Sequence, residues 1–135
     1  MALKVVIVED EEVLCDLLSA ELKRQEFEVY TAIDGGAGWQ LIQEVKPDII
    51  LLDLLMPVMS GYDVLAHLRA NQETHQTPCI VISNSGQTAD LNRAFAEGAD
   101  DVLIKAEFNP DQVVQKVKEL LEKKHKESLF VAENS

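Results

Sequence analysis

Two kinds of segment alternate along the chain. Short apolar runs rich in Val and Ile read as strands: Lys4–Val8, Glu28–Ala32, Asp48–Leu52, Cys79–Ile82 and Asp101–Ile104. The first, third and fourth are almost continuously apolar. That pattern marks strands buried on both faces, as in a parallel sheet covered by helices. Between the runs, apolar positions recur at helical spacing. Leu14, Leu17, Leu18 and Leu22 make one stripe, Leu41, Ile42 and Val45 a second, and Val64, Leu65 and Leu68 a third. Leu91, Ala94 and Phe95 make the weakest stripe; Val113, Val114, Val117, Leu120 and Leu121 make the best.

Local punctuation agrees with this alternation. Asp10, Asp34 and Ser60 are N-cap candidates, because a short side-chain oxygen can accept a free N–H of the first turn. Asn109-Pro110-Asp111-Gln112 offers an N-cap, a proline at the first helical position and a capping-box glutamine. Gly98 is placed to end the fourth helix. Gly35, Gly36 and Gly38 lack the G-x-x-x-x-G-K pattern of a phosphate loop and read as the start of a helix. Trp39 falls beside the second stripe, which predicts a half-buried edge position. The expected fold is α/β: a (βα)₅ doubly wound, five-stranded parallel sheet. Right-handed crossovers leave few topologies for it.

In an open α/β sheet, ligands bind beyond the carboxyl ends of the strands. The first strand runs into Glu9 and Asp10, the third into Asp53, the fourth into Ser83 and the fifth into Lys105. The second ends in Ala32-Ile33, with no comparable group. This predicts the order 2-1-3-4-5, with the second strand on an edge and the other ends converging. One carboxylate after a strand is an ordinary turn or cap residue. Three carboxylates, a hydroxyl and an ammonium, arriving after separate apolar runs, are not. Together Glu9, Asp10, Asp53 and Lys105 carry about −2, and crowded carboxylates repel unless a cation joins them. A hard divalent ion held by oxygens fits, Mg²⁺ being the natural candidate. It would leave positions open for phosphate oxygens. A carboxylate could then attack phosphorus to give an aspartyl-phosphate. Asp53 is the best nucleophile because its strand is central. Lys105 would pair with one phosphoryl oxygen, and the Ser83 hydroxyl would donate to another.

Composition narrows the function classes. The chain has 135 residues, enough for one domain, with a formal net charge of −12. Nucleic-acid affinity rests largely on Lys/Arg–phosphate contacts. Direct DNA or RNA binding is therefore not expected, and neither is an anionic membrane surface. No apolar run approaches the roughly 18 residues needed to cross a bilayer. The start, MALKVVIVEDEE, turns acidic too early for a signal peptide. A cytoplasmic location follows, with Cys15 and Cys79 as reduced thiols. His67, His75 and His125 share no ligand spacing and read as surface residues.

The same residues resemble the pattern of response-regulator receiver domains, over about residues 3–123. VVIVEDEEVL resembles the family's acidic pair after the first strand. PDIILLDLLMPVMSGYDVL is similar to its phosphoacceptor segment, with Asp53, Met56-Pro57 and Gly61 in place. PCIVIS supplies the hydroxyl, Ser83, and GADDVLIK the lysine, Lys105. The resemblance implies a flavodoxin-like fold. It also implies metal binding by Asp10, Asp53 and the backbone carbonyl of Leu55, with Glu9 acting through water. Residues 124–135, which include Leu129-Phe130-Val131, are expected to form a frayed tail.

The resemblance further implies a two-component phosphorelay switch rather than an enzyme. A histidine kinase or histidine phosphotransfer protein would be the donor, and a downstream protein would read the change by contact. Two other readings stay open. A haloacid-dehalogenase-like phosphatase would carry a second Asp two residues after the nucleophile, where this chain has Leu55. A receiver-shaped scaffold that is never phosphorylated would not need the full polar set. Two departures from the family matter. Its usual proline after the lysine is absent, the run being Lys105-Ala106-Glu107-Phe108, so the Lys105–Ala106 bond is expected to be trans. Val102 stands where many members carry an aromatic switch residue. The loop from Asn84 and the fourth helix are therefore expected to move instead.

Overall fold

The computed structural model describes residues 2–134, and side-chain surroundings as far as residue 127. The described residues form five strands: β1 (Lys4–Val8), β2 (Glu28–Ala32), β3 (Ile49–Asp53), β4 (Cys79–Ser83) and β5 (Asp101–Ile104). They alternate with α1 (Glu12–Arg24), α2 (Gly35–Val45), α3 (Gly61–Ala70), α4 (Thr88–Ala96) and α5 (Pro110–Asn134). All pairings are parallel, in the order β2-β1-β3-β4-β5. This is the expected α/β architecture. β3 starts one residue later than expected, because Asp48 sits just before it. The Asp48 side chain takes the Lys4 N–H at 2.7 Å, while its own N–H goes to the Lys4 carbonyl. Asp53 is the last residue of β3, and β4 runs one residue further than expected, to Ser83.

The continuous apolar runs follow from two-sided burial. On one face Val6, Val8, Ile50, Leu52 and Val81 pack with Ile42 of α2, Val64, Leu65 and Leu68 of α3 and Ala94 of α4. On the other, Val5, Ile7, Ile49, Leu51, Ile80 and Ile82 pack with Cys15, Leu18 and Leu22 of α1 and with Val113, Val114 and Val117 of α5. Two stripe assignments need correction: Leu17 and Phe95 are exposed. Successive helical residues are 100° apart, so burial of Leu18 and Ala94 turns these immediate neighbours onto the flank. Cys15 and Cys79 are both free and buried. Burial pushes the Cys79 thiol up to about 12.

Most of the expected caps form. Asp34 accepts the Ala37 N–H at 2.7 Å, and Ser60 accepts that of Asp63 at 3.3 Å. Asn109 and Gln112 satisfy each other's N–H groups reciprocally. Gly98, at φ 114°, follows the last turn of α4. Asp10 is not a cap. Glu11 occupies that position of α1 without a side-chain bond, which leaves the Asp10 carboxylate to the strand-end cluster. The glycines of α2 serve close packing: a Cβ on Gly38 would stand 2.5 Å from the Val8 side chain. Trp39 is half-buried and stacks on exposed His67, ring centroids 5.5 Å apart. α5 continues as helix as far as Asn134. The Leu129-Phe130-Val131 side chains lie outside those described.

Arg69, near the end of α3, ties three connections together. Its Nε donates to the Gly98 carbonyl at 3.0 Å, and Nη1 to the His75 and Thr77 carbonyls. Nη2 pairs with Asp100 at 3.0 Å, and the same Asp100 oxygen receives the Cys79 N–H. This clasp fixes the far end of α4 against the start of β4.

Candidate functional site

A parallel sheet sends all its carboxyl ends to one edge, and there four of the predicted residues meet: Glu9, Asp10, Asp53 and Lys105. Glu9 and Asp10 follow β1, and Asp53 closes β3. One carboxylate oxygen from each of these three lies within 4.8 Å of the others. Glu9 is fully buried and Asp53 is 2% exposed, while Asp10 faces solvent. Lys105 follows β5 and reaches in with a side chain only 8% exposed. Its Nζ stands 2.8 Å from Glu9 Oε1, 3.1 Å from Glu11 Oε1 and 3.5 Å from Asp53 Oδ2. Glu11 was not singled out in the sequence. Its signal is slight, a further acid in the Glu9–Glu12 run.

The cluster is short of positive charge. Burial raises the Asp53 carboxyl to about 7, helped by a hydrogen bond with Asp10 and the charge of Glu9, and only partly opposed by Lys105. Burial also raises Glu9, against the pull of the Lys105 ion pair. Burial alone would lower Lys105, but its bonds to Glu9 and Glu11 and the charge of Asp53 outweigh it and raise its pKa. Glu9 Oε2 is buried with no hydrogen-bond partner. A buried acceptor left unsatisfied is uncommon and points to a missing partner such as water or an ion. An all-oxygen donor set with surplus negative charge fits a hard cation such as Mg²⁺.

The chain just after Asp53 is folded tightly back. A Cβ on Gly61 would lie 2.0 Å from the Asp53 carbonyl oxygen, so only glycine fits there. The Gly61 N–H donates to the Leu54 carbonyl at 2.8 Å. Between them Met59 N–H bonds the Pro57 carbonyl around Val58, whose φ is 71°. This is a γ-turn with positive φ at a β-branched residue, a rare and strained geometry. Leu55 presents its N–H to Asp53 Oδ1 at 3.4 Å and exposes its side chain.

Ser83 is buried, and its hydroxyl is engaged along its own loop. It accepts the Ser85 N–H at 3.1 Å and donates to the Ser85 carbonyl at 3.4 Å. Val102 is half-buried against the α2–α3 layer. Among the described residues no peptide bond is cis, so Lys105–Ala106 is trans as expected. A 3₁₀ turn over Lys105–Glu107 takes up the added residue before Phe108. The exposed His67 is occupied by its Trp39 stack, and the exposed His75 ring bonds the Gln72 carbonyl. Among the described residues no helix is long and apolar enough to cross a membrane.

This geometry has close counterparts. The model of the response regulator receiver domain matches residues 5–118. The chain is 35% identical over 126 residues to the phosphate regulon transcriptional regulatory protein PhoB of Rhizobium meliloti, covering 93% of this chain and 55% of that protein. It is 38% identical over 121 residues to the transcriptional regulatory protein SrrA of Staphylococcus aureus, covering 90% of this chain and 48% of that protein. The chain thus spans about half the length of the curated relatives it matches. The solved structure of the chemotaxis response regulator CheY4 of Vibrio cholerae is similar at a TM-score of 0.82, with 27% identity, covering 88% of this chain and 98% of that chain. Sheet order, strand-end chemistry and these likenesses agree, and the chain belongs to the receiver domain family of two-component response regulators.

Proposed function

We propose that residues 3–123 act as a phosphoacceptor switch in which Asp53 takes a phosphoryl group from a histidine kinase or a histidine phosphotransfer protein. The observation that carries this reading is the buried, partnerless Glu9 Oε2 in a cluster with Asp10 and Asp53, beside Lys105. Asp10, Asp53 and the Leu55 carbonyl would hold Mg²⁺ directly, and Glu9 through water. Bound there, the ion supplies the positive charge that the carboxylates lack and that a phosphoryl group needs. The ionised Asp53 oxygen attacks phosphorus as the bond to the donor nitrogen breaks, and the electron pair leaves with nitrogen. Lys105, 3.5 Å from Asp53, pairs with one phosphoryl oxygen. The Ser83 hydroxyl turns to donate to another. The signal then leaves by contact with a downstream protein in the cytoplasm. A net charge of −12 supports protein contact over direct nucleic-acid or membrane binding.

The test is to incubate the protein with Mg²⁺ and a small acyl-phosphate donor and weigh it intact. One phosphoryl group per chain is expected, with none when Mg²⁺ is chelated and none on Asp53→Asn. An undiminished adduct on Asp53→Asn would overturn the assignment.

A further inference from the structure

α4 is held to the fold by little apolar surface. Ala94 is its one buried residue, and Phe95 is exposed. Leu91 is half-buried and, among the described residues, joins neither apolar layer. Gln87, in the N-cap position, makes no side-chain bond to the first turn. The start of the helix is held instead by Ser85. The Ser85 hydroxyl donates to Asp90 Oδ2 at 2.5 Å and accepts the Gln87 N–H at 3.2 Å. Through its backbone the same residue holds Ser83: its N–H and its carbonyl both engage the Ser83 hydroxyl, at 3.1 and 3.4 Å.

A hydroxyl carries one proton to donate. Ser83 cannot give it to the Ser85 carbonyl and to a phosphoryl oxygen at once. When Ser83 turns toward the acceptor site, the Ser85 carbonyl loses its donor. Gln87 and Asp90, which hang from the Ser85 side chain, must follow any shift of that residue. The far end of α4 is pinned by the Arg69 bonds to Gly98 and Asp100. A helix fixed at its end and tethered by one serine at its start moves by its start. We propose that Ser85 and Asp90 form the link that reports the state of Ser83 to α4, a route that needs no large side chain at Val102. The link rests on the phosphoacceptor reading above, with Ser83 as the hydroxyl that faces the phosphoryl group.

Hydrogen exchange on the full chain, with Mg²⁺ and with or without beryllofluoride as phosphoryl mimic, tests it. In the wild type the mimic is expected to change protection across residues 86–97. Asp90→Ala should exchange about tenfold faster there without the mimic, as loss of one hydrogen bond worth about 1–1.5 kcal/mol implies, and should change little when the mimic is added. Asp90→Asn keeps an acceptor for the Ser85 proton and should restore the wild-type response. Intact mass should show the acyl-phosphate adduct on all three proteins, so that the chemistry is read separately from the link. Asp90→Ala with wild-type protection and a wild-type response overturns the link, as does a wild-type α4 that ignores the mimic. A wild-type protein that takes no adduct overturns the phosphoacceptor reading, and the link with it.

Discussion

α3 and α4 cover the same face of the sheet and are attached to it in opposite ways. α3 buries Val64, Leu65 and Leu68. Its first turn is capped by Ser60, and Gly61 lets its start press against the Asp53 backbone. α4 buries Ala94 alone, has no side-chain cap at Gln87 and leans on β5, a strand that is half-buried throughout. α3 is attached firmly enough to hold its position, and α4 is attached far more lightly. Local stability varies in this way across many folds, and moving elements come from the weakly held parts.

Truncation is the most severe way to break that contrast. Leu68→Ala should cost about 2–5 kcal/mol, because a fully buried side chain leaves a cavity. Leu91→Ala on α4 should cost less than about 1 kcal/mol. Denaturant unfolding of both variants compares them, and equal losses would mean that α4 is anchored as firmly as α3.

Metal and pH act on the fixed side of the comparison. The Asp53 carboxyl is raised from 3.8 to about 7 by burial, by Asp10 and by Glu9. Between those values the folded chain binds more protons than the unfolded one. Asp53 should therefore contribute a loss of stability to the Mg²⁺-free protein as pH rises from about 4 to about 7. Mg²⁺ held as proposed would need the ionised cluster, so its stabilisation should be greater at pH 8 than at pH 5. A hundredfold excess over Kd would contribute about 2.7 kcal/mol. Asp53→Asn should flatten the slope and remove most of the gain. Melting curves at several pH values, with Mg²⁺ or EDTA, check this. A wild-type slope that survives in Asp53→Asn would place the responsible group elsewhere.

The far end of α4 offers a third comparison. Arg69→Ala would take the guanidinium donors from the Gly98, His75 and Thr77 carbonyls and leave Asp100 with the Cys79 N–H, a loss of about 1–3 kcal/mol. Exchange should speed up around residues 97–100 more than at the Ser85 end. A uniform increase along α4 would show that the helix has no fixed end.

How much of this was legible beforehand depends on the kind of interaction. Strand runs, sheet order and the meeting of Glu9, Asp10, Asp53 and Lys105, with Ser83 at the same strand-end edge, follow from apolar periodicity and from the rule that parallel strands share one carboxyl edge. The caps at Asp34, Ser60 and Asn109 are local signals, readable over a few residues. Leu17 and Phe95 were misplaced because a stripe does not say how wide a face its neighbours will cover. Glu11 on Lys105, the Arg69 clasp and the Ser85–Asp90 bond were not legible. They join polar side chains across turns or between distant segments, and such contacts have no period and no composition. Asp10 reads both as a cap and as a cluster carboxylate, because on local pattern alone a carboxylate before a helix suits both roles; only the cap is not formed.

The smallest expected effect makes α4 more like α3. Ser60 and Gln87 share extended N-cap backbone, with φ −68° at each, and an aspartate stands three residues on in both helices, Asp63 and Asp90. Ser60 accepts the Asp63 N–H, and Gln87 accepts none. Gln87→Ser places a short oxygen where the first turn of α4 has free N–H groups and adds no charge beside Asp90. A serine cap contributes about 0.5–1 kcal/mol. The melting temperature should rise slightly, and amides at 88–91 should gain protection. The substitution touches none of Glu9, Asp10, Asp53, Ser83 and Lys105, so the acyl-phosphate adduct should form as before. The exchange response to beryllofluoride should shrink, since a capped first turn no longer depends on Ser85 alone. Unchanged protection at 88–91 would show that the first turn is already held by something other than Ser85, and that the looseness of α4 lies elsewhere along the helix.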